Sequence, residues 1–438
     1  MSPITISSKT LCFALLIAFT IFASRANAQD PKAWVDANIK PMAKLYLHFH
    51  KTPELSFEEK ETAARVAKEL TDIGAVVTQN VGGHGLVGII ENGEGPTVML
   101  RTDLDALPVT EATNLPYAST VKVTDADGKN VGVMHACGHD IHMTTMIGVA
   151  RFMSAHKEHW SGRLMLIGQP AEERGSGASA MLDDGLFTKF KKPDYAIALH
   201  CNATLPSGKV SLRPGYAMAN VDSVDVTLFG RGGHGAYPHT TIDPIVEAAK
   251  FILDVQTIVS REVKPIEAAV ITVGSVHAGT KHNIISDSCH LQLTVRSYSD
   301  DVRKLLIDGI KRKAKAAAMS VGAKKPLIKV SEGTPSLAND PKLANQMSDV
   351  FKSTIGDENV VVAEPVMGGE DFSQYGRAGV PSLMYFLGVV EQERLDRYKE
   401  RGVDPPSLHS ALFYPDIEKT LETGVVTMAR AALELLKK

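Results

Sequence analysis

Short apolar runs alternate with amphipathic stretches along the first half of the chain. The runs have the length of buried strands and lie at residues 86–90, 97–100, 164–168 and 195–199. Apolar residues at helical spacing predict helices at 59–74 and 141–156. Strands that alternate with helices are typical of a mainly parallel sheet covered on both faces. The pattern therefore predicts an α/β domain over residues 29–213.

The pattern changes after Pro214. Apolar and polar residues alternate at 224–228 and at 289–295, which is typical of half-exposed strands. With the helices and strands predicted around them, they give the order β-α-β-β-α-β of a ferredoxin-like α+β unit. We expect this unit to occupy residues 214–332 as an insertion, and α/β character to return over 333–438.

The first residues have the pattern of a signal peptide. Lys9 precedes an apolar run at 11–23, and Ala26-Asn27-Ala28 matches a small-x-small cleavage site. The run is too short to span a bilayer comfortably, although a membrane anchor is the alternative. We expect residues 1–28 to be removed before Gln29 and the protein to be exported, either to the periplasm or to the medium.

Charge and cysteine content narrow the possible functions. The formal net charge is −3, and it becomes −5 when Lys9 and Arg25 are removed with the signal peptide. An acidic chain without a basic block argues against a nucleic-acid partner. Cys137, Cys201 and Cys289 would remain, and an odd, sparse set is not a disulfide framework. At least one thiol therefore needs another explanation, such as a metal.

Polar side chains follow three of the predicted strands. Asp103 and Asp105 come after one run, and His200 directly follows another. Glu172 and Glu173 come after a third. Each residue alone is as typical of a turn or a core position as of a site. Because ligands bind outside the carboxyl ends of parallel strands, we expect these side chains to meet at one sheet edge.

Two segments carry the residue types of a metal site with its acid–base group. Cys137 and His139 are two residues apart at the start of a predicted helix, so both can face one cation. A helix entry with a buried cysteine is the simpler alternative. In Gln169-Pro170-Ala171-Glu172-Glu173, one carboxylate can bind metal while the other takes a proton from metal-bound water. A solvated turn is the alternative there.

The inserted unit contains a glycine-rich loop, Gly230 to His239, without the lysine of a phosphate loop. His234 in this loop could donate a hydrogen bond to a developing oxyanion. Arg296 could hold a substrate carboxylate with two hydrogen bonds, or it could be an ordinary exposed sheet residue. Asn283 is a further candidate for substrate contact.

Seven motifs in order resemble the hippurate hydrolase and indoleacetyl-amino acid hydrolase group of the aminoacylase-like metallopeptidases. They span most of the chain after the signal peptide: Arg-Thr-Asp-Leu-Asp-Ala-Leu-Pro at 101–108, His-Ala-Cys-Gly-His-Asp at 135–140, Gln-Pro-Ala-Glu-Glu at 169–173, Leu-His at 199–200, Gly-Arg-Gly-Gly-His-Gly-Ala-Tyr-Pro-His at 230–239, Gly-Gly-Glu-Asp-Phe at 368–372 and Leu-His-Ser at 408–410. The resemblance implies a zinc-peptidase-like catalytic domain with an inserted lid and dimerisation domain, and hence a homodimer.

The resemblance also implies two divalent metal ions per subunit, zinc or manganese, or else cobalt. Cys137 would bridge them, in place of the carboxylate of other branches. His139 and His200 would complete one site, and Glu173 and His409 the other. Related branches have a histidine where this chain has Arg101, and in this group His139 takes that role.

The remaining roles implied by the resemblance concern the reaction. Glu172 would be the general base and later the acid, and Asp105 is counted among the catalytic residues. His234 would stabilise the oxyanion, reaching into the partner subunit's site. Asn283 and Arg296 would bind the substrate carboxylate.

The expected reaction is hydrolysis of the amide bond in N-acyl-amino acids. A metallocarboxypeptidase or dipeptidase is the alternative among enzymes, because its substrates also carry an amide next to a free carboxylate. A periplasmic ligand-binding protein is the alternative outside enzymes. The adjacent pair Glu172 and Glu173 argues against it, since a pure binder needs no spare base beside the metal.

Overall fold

The computed structural model describes residues 30–125 and 128–438. The signal peptide expected at residues 1–28 lies outside this part of the chain. Within the described residues, no helix has the length and apolar character needed to cross a membrane.

The described helices follow the chain in the order α1 (Pro31–Lys51), α2 (Lys60–Asp72), α3 (His139–Ala155), α4 (Gly177–Asp183), α5 (Leu186–Lys189), α6 (Pro244–Thr257), α7 (Asp300–Ser320), α8 (Pro341–Ile355), α9 (Ser373–Arg377), α10 (Gln392–Glu400) and α11 (Ile417–Leu435).

The described strands are β1 (Val76–Gln79), β2 (Leu86–Asn92), β3 (Thr97–Asp103), β4 (Lys122–Thr124), β5 (Asn130–Gly132), β6 (Gly162–Gln169), β7 (Tyr195–Pro206), β8 (Val210–Leu212), β9 (Gly215–Met218), β10 (Asn220–Phe229), β11 (Gly233–His234), β12 (Ala269–His277), β13 (Ile284–Ile285), β14 (Ser288–Ser297), β15 (Leu327–Glu332), β16 (Leu337–Asn339), β17 (Val360–Val362) and β18 (Ser382–Val390).

The larger sheet has the strand order β1-β2-β6-β3-β7-β18-β8-β17. Its centre, β6-β3-β7-β18, is parallel throughout, which confirms the predicted mainly parallel sheet. Every residue of β3 and of β18 is buried. A strand covered on both faces needs apolar residues on both faces. The central strands of the sheet therefore have continuous apolar sequences rather than alternating ones.

Helices cover both faces of this sheet. Val98 and Leu100 of β3 point into one apolar core, where α11 packs with α1, α3 and α8. Met99, between them, points into a second core formed with α4, α5 and the segment around α9. Successive side chains of a strand point to opposite faces, so one short run serves both cores.

One strand is longer than its apolar run predicted. We expected a strand to end at Leu199 and His200 to follow it, and this was wrong. β7 continues to Pro206, and His200 lies inside it, paired in parallel with Phe386 of β18. Backbone pairing does not depend on side-chain polarity, so the ladder continues where the apolar run stops.

Residues 220–332 form a second, antiparallel sheet with the order β12-β14-β10-β15. Its elements follow the chain as strand, helix, strand, strand, helix, strand. The buried apolar residues of β10 and β14 alternate with residues that are mostly half-buried, and they pack on α6 and α7. This sheet therefore has a core of its own.

The two sheets are joined where the chain leaves the first and returns to it. β9 pairs there with β16, with Met218 opposite Leu337. A two-bond ion pair between Asp300 at the start of α7 and Arg377 at the end of α9 also links the parts. Both side chains are about half exposed, so the pair is an accessible contact rather than a core one.

Candidate metal centre

The carboxyl ends of β3 and β6 lie beside the middle of β7, where His200 stands, and beside the start of α3. Cys137 Sγ lies 3.5 Å from His200 Nε2 and 3.3 Å from His409 Nε2. Glu173 Oε1 lies 3.5 Å from His409 Nε2 and 3.8 Å from His139 Nε2. The structure thus brings together all five residues that the sequence suggested as metal ligands.

These ligand-type atoms form two groups that share Cys137. Atoms of Cys137, His139 and His200 lie within 4.8 Å of one another, and so do those of Cys137, Glu173 and His409. Thiolate, imidazole and carboxylate are ligands of zinc and other borderline divalent ions. The arrangement can therefore hold cations on both sides of one sulfur.

The centre has features that a cation would satisfy. His139 Nε2 is buried and has no hydrogen-bond partner among the described residues. Burial raises the pKa of Cys137 well above its ordinary value, and the nearby Glu173 and Glu172 raise it further. Unpaired buried polar atoms and crowded carboxylates are costly. The residues therefore fit divalent metal ions, which would stabilise the thiolate and pair with the imidazole.

Backbone carbonyls orient two of the imidazoles. Nδ1 of His139 lies 2.7 Å from the carbonyl oxygen of Asp105, and Nδ1 of His200 lies 2.9 Å from that of Cys201. A carbonyl oxygen can only accept, so each Nδ1 donates and each Nε2 is left for the centre. Burial would lower the pKa of His139, but Asp103 and Asp105 outweigh it and raise the pKa to about 10.

Glu172 belongs to neither of the two groups that share Cys137, but its carboxylate lies within 4.8 Å of ligand-type atoms of His139 and Glu173. Its Oε2 lies 3.8 Å from His139 Nε2. Burial raises the pKa of its carboxyl well above the ordinary value, and Glu370 and Glu173 raise it further. A carboxyl group in this environment can hold a proton near neutral pH, which is what a general acid or base requires.

The carboxylate of Asp105 binds the backbone of the glutamate turn and also lies 3.5 Å from His139 Nδ1. Its Oδ1 accepts from the N–H of Glu172 at 3.2 Å, and its Oδ2 from the N–H of Glu173 at 3.0 Å. The hydroxyl of Ser56 donates to Oδ2 at 2.6 Å. This geometry makes Asp105 a residue that positions both glutamates.

Asp103, which we expected at this edge, and His142, which the sequence analysis gave no role, both contact residues of the centre. His142 Nε2 accepts from the N–H of Cys201 at 2.9 Å, so its Nδ1 carries the proton donated to Asp103 Oδ1 at 2.7 Å. Asp103 Oδ2 lies 3.7 Å from His139 Nε2. The spacing of His139 and His142 on one helix was the available signal, since residues three apart share a face.

Arg101 lies fully buried beneath these carboxylates. Its guanidinium donates to Asp103 Oδ2 at 2.7 Å, to Glu370 Oε1 at 2.9 Å and to Asp371 Oδ1 at 3.1 Å. Gln169 Oε1 accepts from its Nε at 3.0 Å. The Gly-Gly-Glu-Asp-Phe motif at 368–372 therefore supplies counter-charges for Arg101.

The three candidates within residues 220–332 do not share the contacts of this centre. His234 is exposed on β11, and its Nδ1 accepts from the N–H of Ala236 at 3.0 Å. Asn283 Oδ1 and Arg296 Nη1 are both buried without a hydrogen-bond partner in the described chain. Within residues 30–125 and 128–438, no hydrogen bond or ion pair joins these three side chains to the five ligand-type residues.

Comparison with known proteins identifies the family. The model of peptidase family M20/M25/M40 matches residues 99–401. Thermostable carboxypeptidase 2 of Saccharolobus solfataricus is 35% identical over 393 residues, which are 89% of this chain and 94% of that protein. Hippurate hydrolase of Campylobacter jejuni is 37% identical over 336 residues, covering 75% of this chain and 83% of that one.

A solved structure supports the same assignment. A dinuclear metal-binding peptidase of the M20 family from Bacillus subtilis superposes with a TM-score of 0.74 at 28% sequence identity. The match covers 92% of this chain and 99% of that one. With the ligand-type residues gathered around Cys137, these likenesses lead to one conclusion. The chain belongs to peptidase family M20/M25/M40, and it is a metal-dependent hydrolase of amide bonds.

Proposed function

We propose that this protein hydrolyses the amide bond of N-acyl-amino acids, of the hippurate or indoleacetyl-amino acid type, to a carboxylate and a free amino acid. The observation that carries the proposal is Glu172, a buried carboxyl group 3.8 Å from His139 Nε2 that is in neither of the groups sharing Cys137. A proton carrier beside a metal centre serves turnover rather than capture alone. The hippurate hydrolase named above is the relative that favours this substrate type.

The two ligand groups support a site for two divalent ions, zinc or manganese, or else cobalt. Cys137 would be shared, His139 and His200 would complete one site, and Glu173 and His409 the other. Bound there, the ions would polarise the amide carbonyl and lower the pKa of water to about 7.

Glu172 is proposed as the group that moves the proton. Its carboxylate takes a proton from the attacking water and later gives it to the nitrogen of the leaving amine. Its pKa, raised by burial and by Glu370, suits a group that must both accept and release a proton. The N–H contacts to Asp105 hold its backbone in place during this exchange.

Residues 214–332 are proposed as a lid and dimerisation domain inserted between the catalytic parts 29–213 and 333–438. Arg296 would bind the substrate carboxylate through its unpaired buried Nη1, and Asn283 would bind it through the N–H groups of its side-chain amide. His234 would donate to the oxyanion in the partner's site. Exposed apolar side chains on this domain support contact with a second copy: Ile245, Val246, Leu253, Val276 and Ile284. Export after removal of residues 1–28 is a further part of the proposal.

A metallocarboxypeptidase is the second candidate, because a carboxypeptidase relative is 35% identical over most of both chains. A hydrolysable amide next to a carboxylate fits the same residues in both cases. A ligand-binding protein without turnover does not fit the family.

The test is an assay of the chain from Gln29 onwards, stripped of metal and reloaded with zinc, manganese or cobalt. Amine release would be measured from hippurate, N-acetyl amino acids, indoleacetyl-amino acids and dipeptides. We expect Glu172→Gln to lose about 10²–10⁴-fold in kcat while keeping its metal content. The exposed Glu58→Gln serves as the control.

The substrate profile then separates the two candidates. Preference for acylated amino acids supports the amidohydrolase, and preference for dipeptides supports the peptidase. Absence of release with any of the metals, at full metal content, would overturn the proposed reaction for these substrates.

A further inference from the structure

The turn that carries the two glutamates has an unusual backbone. Ala171, directly before Glu172, has a φ of 49° and is fully buried. Residues with a Cβ rarely adopt this left-handed conformation, so surrounding contacts must hold it. The direction in which the carboxylates of Glu172 and Glu173 point depends on this one residue.

Two carboxylates from elsewhere in the chain hold this turn. The N–H of Ala171 donates to Glu59 Oε1 at 2.7 Å. The next two N–H groups, of Glu172 and Glu173, both donate to Asp105. Three consecutive amides are therefore bound by two acceptors. Leaving a buried amide without an acceptor would destabilise the turn.

Glu59 has no comparable task in its own helix. It stands at the start of α2, yet its side chain makes no capping bond there. Its Oε1 also accepts from the N–H of Phe57 at 2.9 Å, and Phe57 too has a left-handed φ, of 69°. Burial raises the pKa of Glu59 to about 7, and Asp105 adds to this. Burying this carboxyl group therefore lowers the stability of the fold. The hydrogen bonds that it makes are to the glutamate turn and to the loop that contains Phe57.

We propose that Glu59 is a positioning residue of the amide-cleaving site, which fixes Ala171 and thereby the places of Glu172 and Glu173. The inference rests on the roles proposed above for these two glutamates. The length of the Glu59 side chain is what matters, because one oxygen must accept hydrogen bonds from two backbone amides. The negative charge of the carboxylate is not required.

The rival explanation is that Glu59 only stabilises the loop before α2. The two explanations differ in what a change at this position does. Loss of a loop contact lowers the melting temperature and leaves kcat and metal affinity alone. Displacement of the turn weakens metal binding through Glu173 and slows the reaction through Glu172.

The experiment compares two variants. Glu59→Gln keeps the length of the side chain, and Glu59→Asp keeps its charge but shortens the side chain by one methylene. Manganese affinity would be measured by chelator competition, together with kcat, KM and melting temperature. The exposed neighbour Glu58→Asp is the matched control.

We expect Glu59→Asp to lose about 10–100-fold in metal affinity and about as much in kcat. Glu59→Gln should retain most of both, and KM should change little. Wild-type values in Glu59→Asp, or equal losses in the two variants, would overturn the positioning role. If the wild-type chain cleaves none of the substrates, the proposed reaction fails, and the order of metal affinities still decides the role of Glu59.

Discussion

The metal centre and the glycine-rich loop of the second sheet supply two sets of residues proposed for one reaction, and they are organised in opposite ways. At the centre, His139, His142 and Glu172 are buried, and each is oriented by a bond to a residue from another element. In the loop, His234 is exposed, and its ring accepts from the backbone N–H of Ala236, two residues away. The comparison teaches that the metal site is preorganised within one chain, whereas the proposed oxyanion donor is not yet in place.

The largest effect should come from the residue on which both ligand groups depend. We expect Cys137→Ala to lose metal at both sites and to lose nearly all turnover, because the shared thiolate disappears. Metal content by mass spectrometry and amine release would be measured together. Cys289→Ala, in the core of the second sheet, is the control that should keep both. Full metal content in Cys137→Ala would contradict the shared-ligand arrangement.

Replacing Arg101, which is buried beneath the centre, should have the next largest effect, and this effect should be on the free energy of unfolding. Arg101→Gln leaves three carboxylates without their counter-charge, and we expect unfolding to become easier by about 3–5 kcal/mol. Denaturant titration would measure this. Arg377→Gln breaks the half-exposed pair with Asp300 and should cost only about 0–1 kcal/mol. Similar decreases in the free energy of unfolding of the two variants would show that the buried ion pairs are no more important for stability than the exposed one.

The loop should show the reverse behaviour, a large change in rate without a change in stability. We expect His234→Ala to lower kcat by about 10²–10³-fold, the usual result of removing an oxyanion donor. Metal content and melting temperature should stay at wild-type values because the side chain is exposed. His239→Ala, an exposed histidine of the same loop, is the control. An unchanged kcat in His234→Ala would exclude it from the reaction.

The smallest effect concerns the core of the second sheet. Burial raises the pKa of Glu247 to about 7, and neither of its carboxylate oxygens has a hydrogen-bond partner in the described chain. A raised carboxyl pKa means that the neutral form is the one that the fold favours. Stability is therefore lost as the pH rises from the ordinary glutamate range through about 7.

Melting temperatures at pH 5 and pH 8 would test this loss. We expect Glu247→Gln to lose less than the wild-type chain between the two values, by a few degrees. The exposed Glu267→Gln should behave like the wild-type chain. Parallel curves for all three proteins would show that Glu247 does not titrate in this range.

The sequence predicted the metal centre better than its supports, for a physical reason. Cys137 stands before a helix start and Glu173 after a strand end, and parallel topology brings such positions close to His200 inside β7, whatever the loops do. Glu59 is different, because its partner Ala171 is 112 residues away and no local pattern marks the contact. Asp105 was predicted as catalytic from its motif, but which group its carboxylate faces depends on the folded turn.

The last ligand-type residue has a consequence for how the protein matures. His409 lies 272 residues after Cys137, on a loop where its own φ is 68°. The group of Cys137, Glu173 and His409 therefore cannot form until almost the whole chain has been synthesised and folded. If the chain is exported unfolded, as we propose, that moment comes after translocation. The ion that fills the site would then be set by the ions present outside the cytoplasm, rather than by the intrinsic affinity order of the ligands.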